Sequence, residues 1–321
     1  MISECTALSD KNWFSTGGTA RWYATPTSFE EFRMVLTHAR SHEQPVALIG
    51  EGANILMNDT GFAGLIIKPS IAHLHHESHS NYALVTAGAG VSFAHLITYC
   101  LEHQFVGLEE FSGIPGSVGG SVYINIHYFR HLLSDFLVSA TVIHAVTGEI
   151  TVVDTAWFEF GYNQSKLQSG RYYLLDATFR VTIVNQYEAA YARGRSQEII
   201  RHRQQRYPKE RTCGSFFRNF YEHEVTVVSN NKKMIYVAYY LDKLGIKGEL
   251  TVGKASVAYQ HANMIVTREG ATSADVIELA RTMQQLVYNN FGILPQSECQ
   301  FIGFEKHPLL TLGNMAVGAI L

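Results

Sequence analysis

Two glycine-rich segments have the composition of loops that bring the backbone close to an anion. The first, IGEGANIL (49–56), directly follows an apolar stretch, and the second, FSGIPGSVGGSVYIN (111–125), holds four glycines within eight residues. Glycine permits sharp turns that expose backbone N–H groups, so two such loops can clamp a diphosphate between them. The residues expected to line this clamp are Gly50, Gly52, Ala53, Asn54, Gly113, Ile114, Pro115, Gly116, Ser117, Gly119 and Gly120.

Each segment also has a plainer interpretation. The first lacks the third glycine and the following helical pattern of the dinucleotide-binding fingerprint, so an ordinary strand-to-loop turn would account for it. The second is compatible with a tight crossover loop packed against a sheet. Glycine content alone therefore leaves both interpretations open, although the second segment favours a ligand site.

The elements before the first glycine loop follow a β, α, β pattern over residues 15–70. Ser28 and Glu31 stand at capping-box spacing and open an amphipathic helix, and a short apolar strand is predicted at 46–50. This strand runs straight into the first glycine loop. The loop is therefore expected at the end of a sheet strand.

The elements around and after the second glycine loop are mostly strands. Residues 83–182 contain β-rich runs separated by Gly, Ser and Asn, with one helix expected after Ser92. An arginine-rich helical connector is predicted at 186–212. The last stretch ends in a long helix opened by Thr272 and Asp275 at capping-box spacing.

The composition is that of a globular protein with a large core. Of 321 residues, 46% are hydrophobic and 17% charged, and the net charge of −3 supplies no general attraction to nucleic acid or anionic lipid. No stretch approaches the ~20 continuous apolar residues that span a bilayer. The first residues, MISECTALSDKNW, lack the basic end and apolar run of a secretory signal. We therefore expect a cytoplasmic protein without nucleic-acid or membrane partners.

The cysteines and histidines do not form a metal-binding pattern. Cys5, Cys100, Cys213 and Cys299 include no C-x-x-C pair, and most histidines are scattered singly. We therefore predict reduced thiols and no metal site. The arginine-rich connector could suggest nucleic acid, but its interspersed glutamates favour a solvated helix face.

Six motifs, in this order over residues 12–303, resemble the UDP-N-acetylenolpyruvoylglucosamine reductase (UDP-N-acetylmuramate dehydrogenase) family in its shorter form. They are IGEGANIL, VTAGAGVSF, GIPGSVGG, TCGSFFRN, HANMIV and GILPQSECQFIG. The resemblance implies bound FAD, NADPH as hydride donor and a UDP-sugar substrate. Neither glycine loop contains the His or Cys that covalent attachment would need, so the FAD is expected to be noncovalent.

The same resemblance implies an α+β fold. An FAD-binding domain of the vanillyl-alcohol-oxidase (PCMH) type is expected in two α/β subdomains, 1–70 and 71–185. The helical connector (186–212) then leads to a C-terminal α+β substrate-binding domain at 213–304. Residues 305–321 are expected to form a C-terminal tail.

The family resemblance also assigns roles to polar residues of the second half of the chain. Ser215 in CGSFFRN stands where the family keeps its proton donor, and Glu298 in PQSECQFIG stands at the family glutamate. Tyr162, Arg218 and Asn219 occupy substrate-binding positions. Without the resemblance, Ser215 would be taken for a turn residue and Glu298 for a solvated residue at a strand edge.

Two departures from the family pattern affect the site. The family has Tyr-Arg-x-Ser where this chain has Tyr-Asn-Gln-Ser, so Asn163 replaces a catalytic arginine and supplies no charge. In addition, the bulky stretch 126–130 (IHYFR) follows the second glycine loop in place of small residues. Lys166 or Arg130 would be the candidates to return the missing charge.

Three functions remain open on the sequence alone. The first is reduction of UDP-N-acetylglucosamine-enolpyruvate to UDP-N-acetylmuramate for peptidoglycan. The second is a divergent flavin oxidoreductase acting on another nucleotide sugar or polar metabolite. The third is an FAD- or nucleotide-binding protein with little catalysis, which the presence of both Ser215 and Glu298 disfavours.

Overall fold

The computed structural model describes residues 2–229 and 231–311. Its strands are β1 (Ile2–Ala7), β2 (Thr19–Ala24), β3 (Val46–Leu48), β4 (Ile55–Met57), β5 (Phe62–Ile67), β6 (Leu74–Ser78), β7 (Tyr82–Gly88), β8 (Phe105–Val106), β9 (His127–Tyr128), β10 (His131–Leu132), β11 (Leu137–His144), β12 (Ile150–Asp154), β13 (Tyr172–Ile183), β14 (Arg211–Ser215), β15 (Val228–Ser229), β16 (Lys232–Lys233), β17 (Thr251–Val252), β18 (Ala255–Val257), β19 (Met264–Thr267) and β20 (Gln300–Ile302). Its α-helices are α1 (Phe29–Ser41), α2 (Phe93–Glu102), α3 (Val118–Tyr123), α4 (Gln186–Arg206), α5 (Val237–Lys243) and α6 (Ser273–Phe291).

The chain forms two compact units, each built from several stretches. The first unit comprises the residues up to Thr6, Ala20–Glu51 and Ala63–Gln205, and the second comprises Ala7–Thr19, Gly52–Phe62 and the chain from Arg206 onward. The chain therefore passes from the first unit to the second within the first glycine loop. From residue 312 the predicted C-terminal tail (305–321) lies outside the described residues.

The first unit contains two sheets with helices on them. One sheet has the strand order β1-β2-β5-β3, with β3 and β5 parallel. Helix α1 buries Phe32, Val35, Leu36 and Ala39 in the core of that sheet. The other sheet is antiparallel, with the order β12-β11-β13-β7-β6 and β8 also paired to β13. Helices α2 and α3 contribute to its apolar core.

The second unit is a smaller α+β arrangement. Strands β14, β19, β18 and β17 form an antiparallel sheet in that order, and β20 pairs in parallel with β4. Helix α6 buries an apolar face that includes Val276, Leu279 and Met283, and α5 buries Val237 and Tyr240 in the same core. The apolar face of α6 therefore builds this core.

The helix starts follow the predicted caps, with one correction. Thr272 and Asp275 form the predicted reciprocal capping box of α6. At α1, Ser28 Oγ accepts the Glu31 N–H as expected (3.1 Å). The Glu31 carboxylate, however, binds the N–H and hydroxyl of Thr27 at 2.7 and 2.8 Å, one residue before the predicted partner. Thr27 binds the Glu31 carboxylate with two donors, its N–H and its hydroxyl, whereas the Ser28 hydroxyl is already used as the acceptor of the Glu31 N–H. The carboxylate therefore binds Thr27 in place of Ser28.

Candidate functional site

The two glycine segments meet inside the first unit, at Gly50 and Ser117. A Cβ added at Gly50 would lie 2.5 Å from Ser117 Oγ, closer than real Cβ contacts allow. The same Oγ accepts the Gly120 N–H (3.2 Å) and caps α3, so it is not free to move away without loss of the cap. Only glycine therefore fits where the chain leaves β3.

The second glycine segment combines left-handed turns with a short helix. Gly113 and Gly116 have φ of 77° and 143°, in the region that favours glycine. The expected loop is continued by helix α3, which begins at Val118 because Ser117 supplies an N-cap. A Cβ at Gly119 would lie 3.1 Å from Ala89 O, so the backbone packs tightly there. Gly113, Ile114, Pro115, Gly116 and Ser117 thus lead, with little side-chain bulk, into α3.

This geometry fits the diphosphate of a dinucleotide. The glycines at 50 and 119 let the protein pack closely, whereas an added Cβ at Gly116 or Gly120 would meet no atom closer than 3.6 Å, which leaves the backbone there open to a ligand. The residues of this unit that would hold the cofactor are Gly50, Gly113, Ile114, Pro115, Gly116, Ser117, Gly119 and Gly120.

Gly52, Ala53 and Asn54 belong to the second unit. Gly52 has a φ of 72°, and a Cβ there would lie 2.2 Å from Lys11 O. Asn54 Nδ2 donates to the Glu298 carbonyl (3.2 Å), while its Oδ1 is buried without a hydrogen-bond partner among the described residues. The Asn54 amide, predicted to donate to an anion, thus supports the backbone of Glu298.

Ser215 and Glu298 are carried by neighbouring segments of the second unit. Strand β14 ends at Ser215, and the chain then runs beside the segment that leads into β20. The Glu298 N–H donates to Phe216 O (2.8 Å), and the Arg218 N–H donates to Gln296 O (2.9 Å). The segment that follows the predicted proton donor is therefore joined to the segment of the predicted glutamate by backbone hydrogen bonds.

Asn263 holds the segment that follows Ser215 in place through hydrogen bonds to Phe216 and Phe217. Its backbone carbonyl accepts the Phe216 N–H (2.8 Å), and its side chain both accepts the Phe217 N–H (3.1 Å) and donates to Phe217 O (2.7 Å). Asn263 is only 3% exposed. Sequence reasoning quoted its motif, HANMIV, without assigning this residue a role. An asparagine within an apolar motif was the available signal, since a buried amide needs hydrogen-bond partners.

Arg218 and Asn219, predicted to bind substrate, have structural partners in the second unit. The Arg218 guanidinium forms a two-pronged ion pair with Glu224, both distances being 2.8 Å, and lies 4.5 Å from the Tyr221 ring centre. The hydrogen bonds from Arg218 lower the pKa of the Glu224 carboxyl. Asn219 Oδ1 accepts the Val237 N–H (3.4 Å) at the start of α5. Glu224 was not singled out by the sequence.

Tyr162 and Asn163 lie in the first unit, on a tight turn. Asn163 has a φ of 54°, a left-handed conformation that asparagine tolerates better than most residues. Its Nδ2 is buried without a hydrogen-bond partner among the described residues, as is His127 Nδ1. An unsatisfied buried polar atom costs about 1–3 kcal/mol. Both nitrogens therefore lack the hydrogen bond that a buried donor usually makes.

Of the two candidates for the missing charge, Lys166 already has another partner. Lys166 Nζ forms an ion pair with Glu159 (2.7 Å) and lies 5.0 Å from the Trp157 ring centre. Arg130 is exposed. Lys166 is therefore already neutralised, and the expectation that it compensates for Asn163 receives no support.

Membrane-spanning helices and metal sites are both absent from the described residues 2–229 and 231–311. Within them, no helix is long and apolar enough to cross a membrane, and no group of three His, Cys, Asp or Glu side chains is placed to hold a metal ion. The four cysteines form no disulfides. Burial raises the pKa of the Cys100 thiol to about 12, so this thiol is a packing group.

Comparisons with known proteins agree with this architecture. A model described as an FAD-binding domain matches residues 20–154, and a model of the C-terminal domain of UDP-N-acetylenolpyruvoylglucosamine reductase matches residues 205–302. The UDP-N-acetylenolpyruvoylglucosamine reductase of Gloeobacter violaceus is 34% identical over 295 residues, covering 90% of this chain and 92% of that protein. That of a Synechocystis strain is 31% identical, covering 94% and 91%.

A solved structure shows the same fold. The UDP-N-acetylenolpyruvylglucosamine reductase of Thermus caldophilus superposes with a TM-score of 0.73 at 24% identity, covering 94% of this chain and 98% of that one. The predicted fold class and the predicted FAD-binding domain are thereby confirmed. The chain belongs to the UDP-N-acetylenolpyruvoylglucosamine reductase family.

Proposed function

We propose that this protein reduces UDP-N-acetylglucosamine-enolpyruvate to UDP-N-acetylmuramate, with NADPH as the reductant, in peptidoglycan synthesis. The observation that carries the proposal is the hydrogen bond from the Glu298 N–H to Phe216 O (2.8 Å), which sets the glutamate beside the segment of Ser215. Family membership supports the same reaction. The expected setting is the cytoplasm, with a UDP-sugar as the small-molecule partner.

The proposed reaction requires two chemical tasks from the chain. Bound FAD would supply the chemistry of hydride transfer from NADPH to the enolpyruvyl double bond. Ser215 then donates a proton to the carbon next to the one that receives the hydride, and Glu298 acts beside it at the intermediate. A general acid that is held by a rigid backbone needs little reorganisation before proton transfer, and the hydrogen bonds from Asn263 supply that rigidity.

The two units have separate tasks in this proposal. The glycine cradle of the first unit, centred on Gly50 and Ser117, would hold the cofactor diphosphate noncovalently. The second unit would supply Ser215 and Glu298. Arg218 and Asn219 would lie on the substrate side of this unit while keeping their own contacts, Arg218 with Glu224 and Asn219 with the first residue of α5.

A divergent flavin oxidoreductase remains the second candidate because of Asn163. A neutral amide stands where the family arginine would bind and stabilise negative charge. Loss of one oxyanion-type donor commonly costs ~10² to 10³ in rate. A rebuilt pocket for another polar metabolite would explain the change equally well.

Steady-state turnover separates these candidates. The flavin-loaded protein is mixed with NADPH and UDP-N-acetylglucosamine-enolpyruvate, and the product is identified by mass spectrometry. We expect NADPH oxidation that depends on the substrate and yields UDP-N-acetylmuramate. Flavin-replete protein that oxidises NADPH only with some other metabolite would replace the proposal with the divergent function.

A further inference from the structure

Two buried nitrogen atoms in the first unit lack hydrogen-bond partners and lie on neighbouring segments. They are His127 Nδ1 and Asn163 Nδ2, both without a partner among the described residues. The His127 ring contacts the ring of Tyr162, the residue before Asn163, with 4.9 Å between centres. Buried polar atoms are nearly always hydrogen-bonded in folded proteins, so two exceptions on contacting segments require an explanation.

The segments that carry these atoms are fixed to each other. The Ser165 hydroxyl donates to Tyr123 O (2.6 Å), and Asn125 Nδ2 donates to Gly161 O (3.3 Å). Asn125 also has a left-handed φ of 48°. The backbone on both sides is therefore held, and the two nitrogens are not the loose ends of a frayed loop.

The chemistry of the pair favours an oxygen acceptor as the ligand. Asn163 Nδ2 is a donor, and neutral histidine donates from Nδ1 in one of its tautomers. Burial lowers the pKa of His127 and so favours the neutral ring. The nearest basic side chain along the turn, Lys166, is already paired with Glu159. The pair thus offers two hydrogen bonds without a fixed charge.

We propose that His127 and Asn163 together bind the carboxylate of the enolpyruvyl group, and so form a two-residue substitute for the missing arginine. This inference rests on the proposed function and deepens it, because it assigns to His127 a role in substrate recognition that the family motif does not contain. It also explains why the bulky stretch 126–130 accompanies Asn163 in the same chain.

Ligand binding without turnover tests the pair directly. Flavin-loaded wild-type protein, His127→Phe and Asn163→Asp are titrated with UDP-N-acetylglucosamine-enolpyruvate in the absence of NADPH, and the flavin absorbance reports Kd. His127→Phe keeps the ring contact with Tyr162 but removes the nitrogens. Asn163→Asp keeps the shape and the tolerance for a left-handed φ but replaces the donor by an anion. Each should weaken binding about ten- to a hundredfold, as expected for a lost hydrogen bond to a charged group.

Two controls separate this inference from the proposed function. UDP-N-acetylglucosamine lacks the carboxylate, so its Kd should be nearly unchanged in both variants, which also verifies their folding. His131→Phe, in the same β9–β10 hairpin, should bind both ligands like the wild type. In protein labelled with ¹⁵N-histidine, the signal of His127 Nδ1 is identified by its absence from His127→Phe. In the wild type this signal should shift when the enolpyruvyl ligand is added and should not shift with UDP-N-acetylglucosamine.

Two results would overturn the inference. The first is that both variants bind the enolpyruvyl ligand within about twofold of the wild-type Kd while the wild type turns it over. His127 and Asn163 would then not bind the carboxylate, and the proposed function would be unaffected. A flavin-replete wild type that does not bind the enolpyruvyl ligand would overturn both.

Discussion

The two units hold their candidate functional groups in opposite ways. In the second unit, Ser215 and Glu298 lie on backbone segments joined by hydrogen bonds and fixed by the buried Asn263. In the first unit, the corresponding region relies on glycine and left-handed turns, and it leaves His127 Nδ1 and Asn163 Nδ2 unsatisfied.

The difference lies in the backbone, because Asn54 Oδ1 in the second unit is also buried without a partner among the described residues. A hydrogen-bonded backbone holds its catalytic groups in place before substrate arrives. A backbone cradle with unsatisfied donors gains its partners only when a ligand binds, so ligand binding should stabilise the first unit more than the second.

Removal of the Ser215 hydroxyl should have the largest effect. We expect Ser215→Ala to slow the half-reaction with the enolpyruvyl substrate by ~10² to 10⁴. Flavin reduction by NADPH should remain nearly normal, because the proton donor acts only after hydride has left the nicotinamide. Stopped-flow absorbance measures both phases, and Ser229→Ala in β15 is the control. Equal losses in both phases would assign Ser215 a structural role instead.

Closing the glycine cradle should weaken FAD binding in the first unit. In Gly50→Ala the added Cβ would meet Ser117 Oγ at 2.5 Å, and we expect about a tenfold higher Kd for FAD. Adding Ser117→Gly removes the colliding atom at a cap cost of only a few tenths of a kcal/mol. The double variant should therefore recover affinity toward that of Ser117→Gly alone.

The control for the cradle is a glycine with open space around it. No atom lies within 4 Å of a Cβ added at Gly194, which is inside α4. Gly194→Ala should bind FAD normally and gain up to about 1 kcal/mol in helix stability. A drop in FAD affinity similar to that of Gly50→Ala would show that the cradle geometry is not the cause.

An arginine at position 163 should change the rate of the half-reaction with the enolpyruvyl substrate, by less than Ser215→Ala does. Asn163→Arg restores a charge, which should speed the half-reaction with the enolpyruvyl substrate several-fold in a pocket that still binds the carboxylate. The left-handed φ of 54° should cost about 1 kcal/mol of stability, which Asn163→Gln shares without the charge. The two variants share the backbone strain, so the ratio of their rates measures the effect of the charge alone. A ratio near one in flavin-replete proteins would indicate a pocket rebuilt for another substrate.

The smallest effect concerns the Arg218–Glu224 pair, and it depends on pH. The hydrogen bonds from Arg218 lower the pKa of Glu224 in the folded state. Their stabilisation is therefore present above the unfolded pKa of about 4.3 and is lost as the pH falls through the folded value. Glu224→Gln should cost about 1 kcal/mol at pH 7, with the difference shrinking below pH ~4. Urea unfolding measures this difference in the free energy of unfolding, and Glu222→Gln, at an exposed residue, is the control. A cost at pH 7 that persists unchanged at pH 3 would contradict the assignment.

Features encoded in short stretches were predictable from the sequence. The capping box of Thr272 and Asp275, the helix after Ser92 and the glycine turn after β3 all depend on residues within one or two turns of each other. The fold followed from six ordered motifs, because the resemblance supplied the long-range pairing that local patterns do not contain.

Features that depend on distant contacts were not predictable. Helix α3 inside the second glycine segment begins where the Val118 and Gly119 N–H groups donate to the Val91 and Ala89 carbonyls, despite the weak helix propensity of glycine. The role of Asn263 depends on its packing against Phe216 and Phe217, some 46 residues earlier. The unsatisfied atoms of His127 and Asn163 likewise become visible only when both segments are folded together.

The most direct test of the central claim is a single turnover of reduced enzyme. Flavin-loaded wild-type protein is reduced anaerobically with one equivalent of NADPH, mixed with UDP-N-acetylglucosamine-enolpyruvate, and followed by flavin absorbance. We predict rapid reoxidation with one equivalent of UDP-N-acetylmuramate, and none with UDP-N-acetylglucosamine. Flavin that stays reduced with the enolpyruvyl substrate, in protein shown to bind FAD stoichiometrically, would contradict the account.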